Sequence, residues 1–494
     1  MEIAKEWFQN FQTKNFKNMI KKIILLIIII LSSFFALKAQ MILEYNTNLS
    51  DGTTITLPLK GTVKVTVDWG DGNTDSYKTQ GNYNHTYSNE GTFVVSINGT
   101  LTGFGDNNIY QNFLTKVISF GNTELTSLYC AFNHALYLTE VPQTIPTTVT
   151  DCSFMFANAS QFNHSNICKW DVSNVNDMYG MFMRCKNFNQ DIGNWNLCNV
   201  EEMRSMFSGC LTFNQDLSKW NVCNVSKMTR MFQDCNSFNQ DISSWIVDSV
   251  DCMDYLFYNC YAFNQNLSTW DVSKVKNTTW MFYNCYAFNQ DIGSWNVSNV
   301  TNMNSMFANC YVFNQDIGNW NVSNVTDMSF MFASCFNFNQ DISNWNVSNV
   351  NDMNSMFWDC ENFNQNIGNW NVSNVTDMRS MFAHCTYFNQ NISSWDVSNV
   401  NNMRYMFFNC IAFNQNIGNW KIKNVKDMSG MFYLSTLSNS NYDALLAGWA
   451  SQKLQPDVNF HAGNSKYSEN STEIKKIFTS EPNNWIIIDG GEAN

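Results

Sequence analysis

Basic side chains are scarce in this 494-residue chain: Lys and Arg total 28 against 41 Asp and Glu, a net charge of −13. A phosphate-binding surface needs cations that displace counterions, so nucleic acid is excluded as a partner. Histidine is scarcer still. The five, His85, His134, His164, His384 and His461, share no register and have no acid or nucleophile at a telling spacing. No catalytic residue is assigned on that basis, and the chain is not read as an enzyme. There is no Cys-x-x-Cys cluster and no Cys–His grouping, which argues against zinc; neither a metal nor a cofactor is expected. An apolar run of membrane-spanning length is also missing. The longest, from Ile23 through Leu37, has about 15 residues where a spanning helix needs roughly 20.

What the N-terminus does have is Lys21 and Lys22 before that run and Ala39 just before Gln40, the order of an export signal. Met19 is the more natural start, because it leaves a compact basic segment ahead of the apolar one. Residues 1–40 are therefore read as an extension and signal peptide, with a retained anchor as the alternative. The expected location is secreted or at the cell surface, with nothing spanning the membrane after cleavage. No Cys follows the cleavage site, which speaks against a lipid anchor.

The rest of the chain is dominated by a 25-residue period. Trp recurs from Trp170 to Trp420, Phe-Asn-Gln from Phe188 to Phe413, and Val175 to Val425 and Phe182 to Phe432 are unbroken columns. A fixed period with fixed apolar columns marks units that cannot bury their own faces and must stack. Ten of the 16 cysteines, Cys185 to Cys410, fall on the same register. They read as small buried hydrophobes, with disulfides between neighbouring coils as the alternative. Within one unit, Val325, Met328, Met331, Phe332 and Cys335 have the spacing of one helical face, with Asn324 or Thr326 to cap it and Asp327 in the first turn. Phe338 to Ile342 reads as a short extended segment. Asn314, Gln315 and their equivalents are expected to bond along a ladder or to free backbone groups.

The predicted fold class is therefore α/β: a leucine-rich-repeat-like solenoid of 25-residue coils preceded by a small all-β sandwich. "VKVTVDWGDG" and "HTYSNEGTFVVSI" alternate as antiparallel strands do, placing the sandwich at 41–101. Looser leucine-rich coils follow at 102–170, the regular array at 171–435, and a cap at 436–494. In the cap, Tyr442, Leu445, Leu446 and Trp449 have helical spacing, and "NNWIIIDGG" suits a last strand.

Several columns carry two readings. Asp191, Asp216, Asp241, Asp291, Asp316 and Asp341 could hold calcium, but Asn at 266, 366, 391 and 416 favours a hydrogen-bonded column. Asp68 and Asp71 fit a turn better than a cation site. The Trp column is core if it points inward and a stacking platform for sugars if it points outward. Aromatics at positions the register leaves free, Tyr258, Tyr261, Trp280, Tyr283, Tyr286, Tyr311, Phe336 and Trp358, are the candidate binding surface, because rings side by side are what interfaces use as anchors.

The unit "MFxxCxxFNQDIxxWxVSNVxxM", as in Met331 to Met353, resembles the repeat of BspA-type leucine-rich-repeat bacterial surface proteins over about residues 114 to 435. Val67 to Gly72 with His85-Thr86-Tyr87 and Gly91-Thr92-Phe93 is similar to PKD-type domains. These resemblances imply an exported bacterial surface protein, non-catalytic, that binds extracellular protein or glycan partners. A structural spacer or surface-layer role and a glycan-binding accessory role are the alternatives. The ligand and the oligomeric state are left open.

Overall fold

The computed structural model describes residues 40–493, together with residues 3, 19 and 21–23. The export signal thus lies, apart from those isolated positions, outside the described residues. The chain divides into two compact units, Met1–Met155 with His164–Asn174 and Phe156–Asn163 with Val175–Asn494.

In the first unit, six strands form one antiparallel sheet: β1 Met41–Asn46, β2 Thr54–Asp68, β3 Thr74–Tyr77, β4 Gly81–Thr86, β5 Thr92–Phe104 and β6 Leu114–Ser119. The order is β3-β2-β5-β1-β6, and β4 pairs with the first half of the long β2 along the edge that β3 uses further on. Alternation holds the sheet to its core: Ile55, Leu57, Leu59, Val63, Val65 and Val67 are buried, while Lys64 and Thr66 between them face water. The expected two-layer sandwich is this single sheet, and it runs past residue 101. Pairing with the chain beyond β6 is the reason. Gly103 on β5 bridges to Ser127, Ser127 bridges to Asp151, and Lys116 on β6 bridges to Glu140, all in parallel. The last strands of the sheet therefore serve as templates for the first, 24-residue units.

In the second unit each repeat hydrogen-bonds to the next. The N–H groups of Met328, Phe330, Phe332 and Ser334 donate to the carbonyls of Asp352, Asn354, Met356 and Trp358 at 2.7–3.1 Å. The N–H groups between them bond within the repeat: Met331 to Met328, Ala333 to Phe330 and Cys335 to Phe332, at 2.9–3.2 Å. This alternation needs left-handed backbone, and Phe330 and Ser334 have φ of 56° and 57°. The helical turn expected at Val325 to Cys335 does not form. A helix and a run of three-residue turns both bring residues three apart to one side, so the apolar spacing alone fits either. What decides is that half of the N–H groups are taken by the neighbouring repeat. The α/β expectation is corrected accordingly: the repeats are turns and irregular extended chain. Two α-helices, α1 Asn439–Ala450 and α2 Thr472–Thr479, come after the array.

The apolar columns point inward. Met331, Phe332, Cys335, Phe338 and Ile342 have no exposed surface, and Trp345 is 3 % exposed. Equivalent rings lie against one another, with Phe307 and Phe332 at 5.8 Å, Phe313 and Phe338 at 6.1 Å, and Trp320 and Trp345 at 6.5 Å between centroids. The buried polar atoms are satisfied across repeats. Trp345 Nε1 donates to the carbonyl of Ile317 at 3.1 Å, and Cys335 Sγ to that of Phe307 at 3.0 Å. The Phe338–Ile342 stretch uses side-chain amides in place of a strand ladder: Asn314 Oδ1 accepts from the backbone N–H of Asn339 at 2.9 Å and from Gln340 Nε2 at 3.0 Å.

After residue 433 the array closes by imitation. Ser435 takes the cysteine position, its hydroxyl donating to the Phe407 carbonyl at 2.7 Å. Helix α1, capped by Ser438, buries Tyr442, Leu445, Leu446 and Trp449, and the Trp449 indole donates to the Ile417 carbonyl as a tryptophan of the array does. Strand β7 (Asn459–His461) then pairs in parallel with β8 (Ile486–Ile488).

Candidate functional site

The variable aromatics fall into three columns of the second unit. The first is set by the left-handed position at which Tyr255 and Trp280 sit, with φ of 58° and 60°; their rings stack at 5.7 Å. Three residues on, Tyr258 and Tyr283 stack at 4.9 Å. The two columns touch, Trp280 lying 4.6 Å from Tyr283 and 5.7 Å from Tyr258. Arg230 continues the first column, its guanidinium 4.5 Å from the Tyr255 ring.

The third column is the longest. Tyr261, Tyr286, Tyr311 and Phe336 lie on four successive repeats with centroid separations of 4.8, 4.7 and 5.0 Å. Beneath the columns runs an amide ladder on the second left-handed position: Asn259 donates to Asp234 at 2.6 Å, Asn284 to Asn259 at 2.7 Å, and Asn309 to Asn284 at 2.7 Å. Asn and Asp tolerate left-handed backbone better than other non-glycine residues, and here their side chains also fix the register of the ring-bearing turns. Burial, and after it the neighbouring tyrosines, push the phenols of Tyr258, Tyr261 and Tyr311 upward. These three phenols are therefore neutral at physiological pH.

Seven of the eight expected residues thus gather here. Trp358 does not. It shares the register position of Tyr283, but the buried Ala308 and Ala333 intervene, and its ring neighbour is the edge of His384 at 6.4 Å. Tyr255 and Phe330, which share the register position of Trp280, were missed; Phe330 is 38 % exposed.

The other two-sided columns resolve. The Trp column points inward, so it is no sugar platform; from Trp220 to Trp420 each indole N–H is held by a carbonyl of the preceding repeat. Asp316 Oδ1 accepts from Gly318 N at 2.9 Å, and Asn366 Oδ1 from Gly368 N at 3.1 Å. One side-chain oxygen closing a turn is all the column requires, which is why Asp and Asn interchange. In the sheet, Asp68 and Asp71 close turns to Gly70 and Asn73. Asp71 also bonds His85 at 2.8 Å, whose ring stacks on the buried Trp69 at 4.5 Å. The two motifs singled out in the sequence, around Val67 and His85, thus meet. The cysteines are free thiols, and the ten of the array are buried.

Six overlapping stretches, residues 126–245, 192–294, 216–317, 280–376, 333–449 and 359–473, match the family described as "Mycoplasma protein of unknown function, DUF285". The chain belongs to this family. Successive overlapping matches are what a multi-repeat pattern gives on a longer tandem array, and the DUF285 matches span the repeats described above. No curated protein matches the chain.

Proposed function

We propose that this DUF285 protein is an exported, cell-surface scaffold, non-catalytic, that binds an extracellular protein or glycan through the ridge formed by Tyr255, Tyr258, Tyr261, Trp280, Tyr283, Tyr286, Tyr311 and Phe336. The array is read as a leucine-rich-repeat-like solenoid of BspA type, and the sheet as a PKD-like domain. The observation that carries the reading is the four-ring column from Tyr261 to Phe336, an apolar strip on a surface whose other free positions are mostly polar. Rings already stacked on one another lose little freedom when a partner covers them, which is what makes aromatic anchors effective. Arg230 at its margin adds a cation that can meet a carboxylate.

Pull-down from extracellular matrix and serum fractions tests it, comparing wild type with Tyr283→Ala/Tyr286→Ala. A partner retained by wild type and lost by the variant is the expected result. Equal capture by both proteins would remove the ridge from the reading.

A further inference from the structure

Beside the ridge lies a second feature of different chemistry. An open groove of about 680 Å³ runs over successive repeats, lined by Asn289, Asn314, Asn339 and Asn364 and, along a second column, by Val312, Asn337, Asn362 and Tyr387. Each of the first three amide oxygens is committed to the next repeat: Asn289 Oδ1 accepts from Asn314 N, Asn314 Oδ1 from Asn339 N, and Asn339 Oδ1 from Asn364 N, each at 2.9 Å. Asn364 Oδ1 does the same for Asn389 N at 3.0 Å. A backbone N–H on the oxygen fixes which way the amide faces, so the NH₂ group is the end turned outward. Among the described residues none of these four Nδ2 groups bonds to the protein, and none is a buried atom left without a partner. They form a row of solvent-facing donors. The row advances by one Asn per repeat, each Asn next in sequence to a phenylalanine of the stacked column Phe288, Phe313, Phe338 and Phe363.

We infer that this groove is a binding site for a neutral oligosaccharide of hexopyranose rings, separate from the aromatic ridge and not dependent on its reading. A ligand here must offer acceptors at every step and little charge, because the protein is acidic and the row is uncharged. Sugar rings meet both conditions: each carries several hydroxyl and ether oxygens, so one of them falls within reach of each donor. An extended peptide fits less well. Its carbonyls alternate sides, so only every second residue turns an acceptor toward the row, whereas a hexopyranose ring carries oxygens around its whole edge. At one end Tyr387, 58 % exposed, gives an aromatic face against which the apolar side of a ring can lie.

The test is titration calorimetry of the purified protein with cellohexaose, maltohexaose, mannohexaose and chitohexaose. Hexagalacturonate and an uncharged β-strand-forming octapeptide serve as the contrasting classes. Saturable binding of at least one neutral hexasaccharide is expected, with affinity falling about tenfold in Asn314→Asp and Asn339→Asp. Those substitutions keep the oxygen that accepts from the next repeat and remove the donor. Tyr387→Ala, on an exposed ring, is expected to lower affinity comparably with no change in melting temperature, and it stands as the test should an Asn variant fail to fold. The ridge variant Tyr283→Ala/Tyr286→Ala should retain wild-type sugar affinity, so failure of the ridge reading and failure of this one are distinguishable. Absence of binding to all four sugars at about 10 mM, equal affinity in the variants, or binding of the peptide or the polyanion alone would each overturn the assignment.

Discussion

The indole N–H of Trp320 donates to the backbone carbonyl of Ile292 at 3.1 Å, one repeat back, and both residues are buried. Removing the donor leaves a buried carbonyl without a partner, and the smaller ring leaves space. Trp320→Phe is therefore expected to destabilise the array by about 2–4 kcal/mol, combining the unsatisfied acceptor with lost packing. Urea unfolding followed by circular dichroism measures it. A loss well under 1 kcal/mol would mean that the indole bond is not structural.

Phe330 has φ 56° and a ring 38 % exposed, so a bulky side chain occupies backbone that favours glycine while burying little. Gly180 and Gly430 already stand at the same register position. Phe330→Gly is predicted to stabilise the protein by about 1 kcal/mol. Phe332→Ala, two residues on and fully buried, is predicted to cost about 3–5 kcal/mol. Thermal melts of the two variants should move in opposite directions.

Burial pushes the thiols of the cysteine column far up, Cys335 and Cys360 among them. Thiolate is the reactive form, so iodoacetamide at pH 8 should leave the column unmodified in native protein and label it once the chain is unfolded. Cys198 and Cys223 are half-buried and should be labelled first. Peptide mass spectrometry reads both. Cys335→Ser should cost only about 1 kcal/mol, because Ser435 already makes the same carbonyl bond in the cap.

Asp316→Asn is expected to be neutral and Asp316→Ala to cost about 1 kcal/mol, since the side chain's task is the turn bond to Gly318. Addition of calcium or a chelator should shift neither melting temperature; a chelator-dependent shift in wild type alone would restore the metal reading of the column.

In the sheet, the hydrogen bond from Lys60 brings the Asp106 carboxyl from 3.8 down to about 2. A depressed carboxyl contributes stability that is complete above its unfolded value and lost as pH falls through the folded one. Unfolding of the first unit should therefore steepen between about pH 4 and pH 2, and Asp106→Asn should flatten that limb.

The period and the burial of the cysteine column were legible because stacking fixes one residue type per position. The turn ribbon at Val325 to Cys335 was not, as three-residue spacing is common to a helix and to alternating left-handed turns. The direction of Trp320 was undecidable from a column of identical letters; a carbonyl one repeat back settles it. Trp358 stands apart because its register position holds Ala333 and Ala308 in the two repeats before it, 25 and 50 residues away. The groove escaped notice for a similar reason. Asn314 and Asn339 were rightly read as a ladder, but which end of each amide the ladder consumes depends on a backbone N–H one repeat further on.

The matched bonding of Asn289, Asn314 and Asn339 also has a genetic consequence. A segment whose upper side satisfies its lower neighbour with the same letters can be duplicated or deleted in whole units without altering the chemistry on either side. Slippage or recombination in the gene would then lengthen or shorten the molecule's reach in fixed increments, while the sheet and the closing helix stay as they are.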